Sequence, residues 1–152
     1  MNRFVLSLIG LLPVVQGCSS SYEPAKSPRI ALVMDSGTPQ FAKDGQHSGN
    51  LAFGTGLVDA VRGNPRAEAE ARTGRNLAIG GFILDLTGVV CATSGLVLLG
   101  GRDRPNQHRE AAAGLAIGGL VAVTVGTVLL LNSQPHIYDA VNIYNDGLQP
   151  AR

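Results

Sequence analysis

Two long apolar segments most constrain what this chain can fold into. Residues 77–101 form a run of 25 residues with a single charge, at Asp85, and residues 111–131 form an uncharged run of 21 residues. A helix needs about 20 apolar residues to cross a bilayer, and both runs are long enough. Large apolar residues each favour insertion by about 0.3–0.6 kcal/mol, whereas a central aspartate opposes it by about 2.5–3.5 kcal/mol. The sequence therefore predicts two transmembrane helices.

The short link between the two runs predicts that they form an antiparallel pair. Residues 102–110 are polar and contain three arginines, and so short a loop places the helices side by side. A soluble helical hairpin inside a protein core is the alternative, but too little chain remains to cover it. The predicted fold class is a membrane α-helical hairpin of two glycine-rich transmembrane helices, with a small α+β element outside the membrane.

The N-terminus has the features of an export signal. Arg3 precedes an apolar stretch, residues 4–15, that is too short to span a bilayer. The sequence Val15-Gln16-Gly17-Cys18 follows and resembles the lipobox of bacterial lipoproteins, whose cysteine is acylated and becomes the new N-terminus. This resemblance, confined to residues 1–20, implies a signal peptide at 1–17 and lipidation of Cys18. The alternative is an ordinary secretory signal with a chance cysteine.

A lipidated Cys18 implies a location in the bacterial cell envelope. The anchored end would lie in the periplasm and the arginine-bearing loop in the cytoplasm, as the positive-inside rule favours. Two spanning helices favour the inner membrane, whereas Ser19 resembles an outer-membrane sorting signal.

Cys91, alone in an apolar run, is expected to act as a small hydrophobic residue.

Between the anchor and the first apolar run, the sequence predicts a tether, a small sheet and two helices. Residues 18–28 have the composition of a flexible tether. Residues 29–63 contain short apolar runs and the hairpin signal Asp44-Gly45, which predict two or three antiparallel strands over 29–48. The nearest side chains on which this sheet can pack are Leu51, Phe53, Leu57, Val58 and Val61.

The segment 49–56 (GNLAFGTG) is weakly similar to a phosphate-binding loop, but Thr55 replaces the essential lysine. It predicts a glycine-rich loop leading into a short helix at 57–62. A further helix at 64–76 is indicated by Asn64, a good N-cap, and by Pro65 at the first helical position, and it leads into the first apolar run.

Glycines recur at spacings that place them along one side of each apolar helix. Gly74, Gly81, Gly88 and Gly95 are seven residues apart, and the pentapeptide LAIGG occurs in both runs. Because lipid offers no hydrophobic reward for helix pairing, association depends on close backbone approach. The predicted packing residues are Gly81, Gly88, Gly95, Gly118, Gly119 and Gly126. Such hairpins resemble glycine-zipper envelope lipoproteins, although a strict GxxxGxxxG run is missing; the alternative is that glycine is merely common in membrane helices.

Asp85 is a functional candidate because placing a carboxylate in the hydrocarbon core of a membrane costs free energy. Reflection of the chain about a turn near Asn106 places Asp85 level with Thr127, with Thr124 one turn away. These three residues form the predicted intramembrane polar site. Two interpretations stay open: a hydrogen-bonded lock for the hairpin, which we favour, or an ion or proton site in an oligomer.

The remaining chemistry predicts no catalytic, cofactor or metal site. His108 would lie across the membrane from His47 and His136, so the three cannot form one metal site, and a net charge of +1 gives no case for nucleic acid. The tail, 132–152, predicts a short amphipathic helix at 136–147, after Pro135, that packs on the sheet region or the membrane surface. We expect a structural or interaction role for an envelope lipoprotein, not an enzyme, with the bilayer, other copies or envelope proteins as partners. The alternative is a small oligomeric pore.

Overall fold

The computed structural model describes residues 26–35, 37–100 and 106–148. Three strands come first, β1 (Ala31–Asp35), β2 (Thr38–Lys43) and β3 (Gln46–Asn50). A one-turn helix, α1 (Leu57–Ala60), and two long helices, α2 (Pro65–Leu99) and α3 (Asn106–Gly147), follow. The predicted combination of two long apolar helices with a small sheet is confirmed. The signal peptide, Cys18 and most of the tether lie outside the described residues.

The sheet is antiparallel throughout, in the order β1-β2-β3. The turn between β2 and β3 consists of Asp44 and Gly45, with φ of 54° and 79°. Two successive positive φ values produce the tight hairpin turn for which Asp-Gly is favoured. A register shift between Phe41 and Ala42 bends the second pairing.

Helix α2 is one uninterrupted helix of 35 residues, so the predicted leading helix and first apolar run are continuous. The Asn64 side chain caps it by accepting a hydrogen bond from the Ala67 backbone N–H at 3.2 Å, and Pro65 occupies the first position. The helix predicted at 57–62 is shorter than expected, because α1 ends at Ala60 and the chain turns through Gly63 with φ of 96°.

Helix α3 corrects two boundaries. It begins at Asn106, so residues 106–110 belong to the helix and not to the predicted loop at 102–110. It also continues through Pro135, so the tail does not contain a separate helix beginning at residue 136. A proline inside a helix costs about 3 kcal/mol. Packing on both sides offsets that loss, since Ser133 and Ile137 are fully buried against α2 at Gly74.

A compact apolar cluster, here called the sheet-side core, joins the sheet to one end of the helix pair. Its buried members are Ile30, Phe41, Leu57, Ala60, Val61, Ala67, Ala71, Ile137, Ala140 and Val141, with Leu51, Val58, Ile143 and Tyr144 partly buried against them. The apolar face predicted for the tail thus packs on the sheet region. Of the five side chains expected beneath the sheet, Phe53 is the exception, because it does not join this cluster.

Polar contacts fasten the sheet to the end of α3. The Asn145 side chain accepts a hydrogen bond from the Ile30 backbone N–H at 2.8 Å and donates one to the Ile30 carbonyl at 3.0 Å. Lys43 donates to the Ala60 carbonyl at 2.6 Å, and its ammonium lies 4.5 Å from the centre of the Tyr144 ring. Because these contacts join residues far apart in sequence, they fix the sheet at one end of the hairpin.

Candidate functional site

The contact surface between α2 and α3, here called the helix seam, is built from small residues. On α2 the buried positions are Ala67, Ala71, Gly74, Ala78, Gly81, Gly88, Ala92 and Gly95. Their spacing alternates between four and three residues, except for the seven between Gly81 and Gly88, and this is the heptad pattern of helices that wrap around each other. The alanines were not predicted as packing residues, although their spacing continues that of the glycines.

Five of the six glycines predicted to pack lie at points where the two backbones nearly touch. A Cβ atom on Gly81 would lie 2.7 Å from the Gly126 carbonyl oxygen, and one on Gly88 would lie 2.7 Å from that of Gly119. A Cβ on Gly95 would lie 2.5 Å from the backbone nitrogen of Ala116. Since real Cβ atoms do not come so close to backbone, any larger residue would push the helices apart.

Gly118 is a correction to the predicted packing set. A Cβ atom there would meet nothing within 4 Å, whereas one on the neighbouring Gly119 would overlap the Ala92 backbone. Successive residues of a helix point about 100° apart, so only one of two adjacent glycines faces the seam. Gly118 instead lines a shallow groove beside the seam, with a volume of about 210 Å³, together with Thr87, Cys91 and Gly114.

Asp85 occupies the place in the stripe between Gly81 and Gly88 and is half-buried. A Cβ atom on Gly126 would lie 2.5 Å from the Asp85 carboxylate, so the missing side chain makes room for it. The Thr127 hydroxyl donates to Asp85 Oδ1 at 3.4 Å. Thr124 does not join this contact, which corrects the predicted site: its hydroxyl donates to the Leu120 carbonyl of its own helix at 3.0 Å. Such back-bonding is common for threonine within a helix.

The outward faces of the helix pair carry many large exposed side chains, here called the apolar belt. On α2 these are Ile79, Phe82, Ile83, Leu86, Val89, Val90, Leu96 and Val97, and on α3 they are Leu115, Ile117, Leu120, Val121, Val125, Val128 and Leu131. At 1.5 Å per residue the belt is about 27 Å long on α2 and about 24 Å on α3. The belt is therefore nearly as long as the hydrocarbon core of a bilayer is thick, which is about 30 Å.

Both long helices are apolar and long enough to cross a membrane, by length and composition. Only 17% of the most apolar window of each is buried, whereas the core helix of a soluble protein is mostly buried. Exposed polar residues bound the belt at both ends. Arg72, Arg75 and Asn76 lie at the sheet side, and His108, Arg109 and Glu110 lie at the other.

The histidines lie in three different places: His108 and His136 near opposite ends of α3, and His47 on β3. His136 on α3 contacts Glu70 on α2, with 2.6 Å between Nδ1 and Oε2, and this pair bridges the helices beside the sheet-side core. His47 is exposed on β3, and His108 lies at the far end of the hairpin. Among the described residues, no three histidine, cysteine, aspartate or glutamate side chains are grouped closely enough to hold a metal ion.

Comparison of the chain with protein-family models, with curated proteins and with solved structures finds no match.

Proposed function

We propose that this chain is a lipid-anchored protein of the bacterial cell envelope whose hairpin spans the inner membrane. The three strands, α1 and the sheet-side core, together called the sheet-side domain, face the periplasm. The role of the chain is structural or interactive, as a subunit or scaffold of an envelope assembly. The observation that carries the proposal is the apolar belt on a closely packed helix pair. The lipobox-like sequence ending at Cys18 adds the anchor and the direction of export.

The energetics of the belt favour lipid over water as its surroundings. Leaving a large aliphatic or aromatic side chain in water instead of burying it sacrifices about 1.5–3 kcal/mol. Fifteen belt residues are exposed, whereas soluble monomers rarely expose more than a few hundred Å² of apolar surface in one patch. A bilayer would cover the belt on both helices at once.

Two surfaces support an interaction role. Strand β1 forms one edge of the sheet and exposes Leu32 and Met34, and a strand edge of this kind pairs readily with an extended segment of another chain. Within the belt, the groove beside Gly114 and Gly118 leaves small residues open to a further helix, as in membrane oligomers. The hydrogen bond from Thr127 to Asp85 supports the interpretation of Asp85 as a lock within one hairpin over that of a pore-lining group.

The scaffold and the pore are distinguished by one pair of measurements on wild type and Asp85→Asn. A photocrosslinking amino acid at Met34 should yield the same envelope-protein adduct in cells for both chains. Vesicles containing either purified protein should leak ions no faster than empty vesicles. Leakage that is abolished by Asp85→Asn would replace the scaffold with the pore.

A further inference from the structure

The Phe53 side chain lies outside the sheet-side core and against the apolar belt. Its ring centre is 5.3 Å from that of Phe82, with the two planes at 80°. This edge-to-face geometry is favourable for aromatic pairs. Phe82 is 47% exposed and belongs to the belt. A loop of the sheet-side domain therefore extends an aromatic side chain alongside the segment proposed to lie in the membrane.

The loop that carries Phe53, here called the 49–56 loop, includes the last two residues of β3 and is held in a fixed shape. Gly49 and Gly56 approach so closely at its base that a Cβ on either would overlap the backbone of the opposite side, at Thr55 and Ser48. The Asn50 backbone N–H donates to the Thr55 hydroxyl at 3.1 Å. Gly54, with φ of 58°, fits against Ile137 of α3. The position of Phe53 is thus set by the loop and by its seat on the helix pair.

Charge and depth along α2 indicate what surrounds this loop. Arg72 and Arg75 are exposed at the end of the belt, where cationic side chains are suited to lipid phosphates. Phe82 follows Arg75 by seven residues, which is about 10 Å along the helix. The headgroup region of each leaflet is only about 5–7 Å thick. If the backbone of Arg75 lies at the phosphates, that of Phe82 therefore lies below the headgroups. Gly54 lies beside the Arg75 backbone, and from there the Phe53 ring reaches to the Phe82 ring.

We propose that the 49–56 loop is a membrane wedge: Phe53 enters the acyl-chain region of the leaflet beside Phe82, while Arg75 meets a lipid phosphate. The occupant of this surface is the phospholipid of the leaflet that the hairpin crosses. The proposal rests on the membrane hairpin proposed above. The wedge adds an insertion point to those of α2 and α3. This further contact fixes the tilt and rotation of the sheet-side domain on the membrane surface.

The test uses tryptophan as a depth probe, because the chain contains none. Three full-length variants, Phe53→Trp, Phe82→Trp and Leu32→Trp, are purified, reconstituted into phosphatidylcholine and phosphatidylglycerol vesicles, and compared in lipids brominated near the upper part of the acyl chain. We expect blue-shifted emission and strong quenching for Phe53→Trp and Phe82→Trp. Leu32→Trp, on the edge strand β1 where Leu32 is 44% exposed, should emit closer to tryptophan in water and be quenched several-fold less.

The outcomes separate the wedge from the hairpin. Quenching of Phe82→Trp without quenching of Phe53→Trp would overturn the wedge and leave the hairpin in place. Quenching of neither would overturn both proposals. Equal quenching of Leu32→Trp would also overturn the wedge, because the whole domain would then lie in the leaflet. Should Phe53→Trp fail to fold, a photocrosslinking amino acid at residue 53 should form lipid adducts in cells, and their absence would equally reject the wedge.

Discussion

Where α2 and α3 pass the sheet, large apolar side chains fill the space between elements, whereas further along the hairpin the two helices touch through backbone. Phe41, Leu57 and Ile137 are fully buried in the sheet-side core. In the helix seam, the positions that face the other long helix are occupied by glycines, among them Gly81, Gly88 and Gly119. The difference matches the two proposed solvents, because burial of apolar area drives association in water, whereas close packing must do so in lipid.

The change from one mode to the other occurs at Gly74. A Cβ atom there would lie 2.8 Å from Ile137 Cγ1, so the last glycine on the sheet side makes room for a large side chain of the core. Beyond this point a glycine or alanine faces the partner helix in most turns. A single heptad stripe on α2 thus serves both regions, and only the size of the side chains opposite changes.

The largest effect is expected when the sheet-side core loses its central ring. Phe41→Ala should destabilise that core by about 3–5 kcal/mol, because the ring is fully buried. Hydrogen exchange of the backbone amides should show loss of protection in β1, β2 and β3 but retained protection across Gly81, Gly88 and Gly95. The control, Leu32→Ala, truncates the cross-strand partner of Phe41, whose side chain is 44% exposed, and should cost much less than Phe41→Ala. Simultaneous loss of protection in the seam would show that the two regions do not differ as described.

A smaller but more selective effect is expected in the seam from adding one methyl group. Gly119→Ala should destabilise the hairpin by about 1–3 kcal/mol, because the new Cβ would overlap the Ala92 backbone. Gly118→Ala is the matched control on the adjacent residue and should be neutral or slightly stabilising, since alanine is the better helix former. Thermal unfolding in detergent, followed by circular dichroism, compares the two. Equal losses for both variants would mean that the seam does not depend on backbone approach.

The smallest effect is expected at the polar contact within the seam. Thr127→Val removes the donor to Asp85 and should cost about 0.6 kcal/mol, the average for hydrogen bonds between membrane helices. Thr124→Val, whose hydroxyl bonds only its own helix, should leave the hairpin unchanged in the same unfolding assay. A larger loss for Thr124→Val than for Thr127→Val would place the polar contact elsewhere.

The sequence predicted features that follow from regular spacing. Heptad glycines, the Asp44-Gly45 turn, the Asn64 cap and the pairing of Asp85 with Thr127 all depend on the periodicity or local chemistry of a few residues. Spacing alone could not decide between the adjacent Gly118 and Gly119, because each belongs to a plausible glycine pattern.

Long-range packing determined what the sequence did not reveal. Pro135 normally ends a helix, but Ser133 and Ile137 are buried on either side of it and hold the helix together. Phe53 was predicted to pack beneath the sheet because it is apolar and close to the sheet in sequence. The glycines around it instead turn the loop toward Phe82. Neither outcome is visible until the two long helices are placed side by side.

Extraction of a chain without its lipid most directly tests whether the hairpin enters the bilayer. Residues 1–18 are replaced by an ordinary cleavable secretory signal, so that neither acylation at Cys18 nor an uncleaved signal can retain the protein. After alkaline carbonate treatment of the membranes, the proposed hairpin predicts that the processed chain stays in the pellet with integral membrane proteins. Its release into the supernatant would contradict a spanning hairpin and leave the apolar belt to be covered by protein instead.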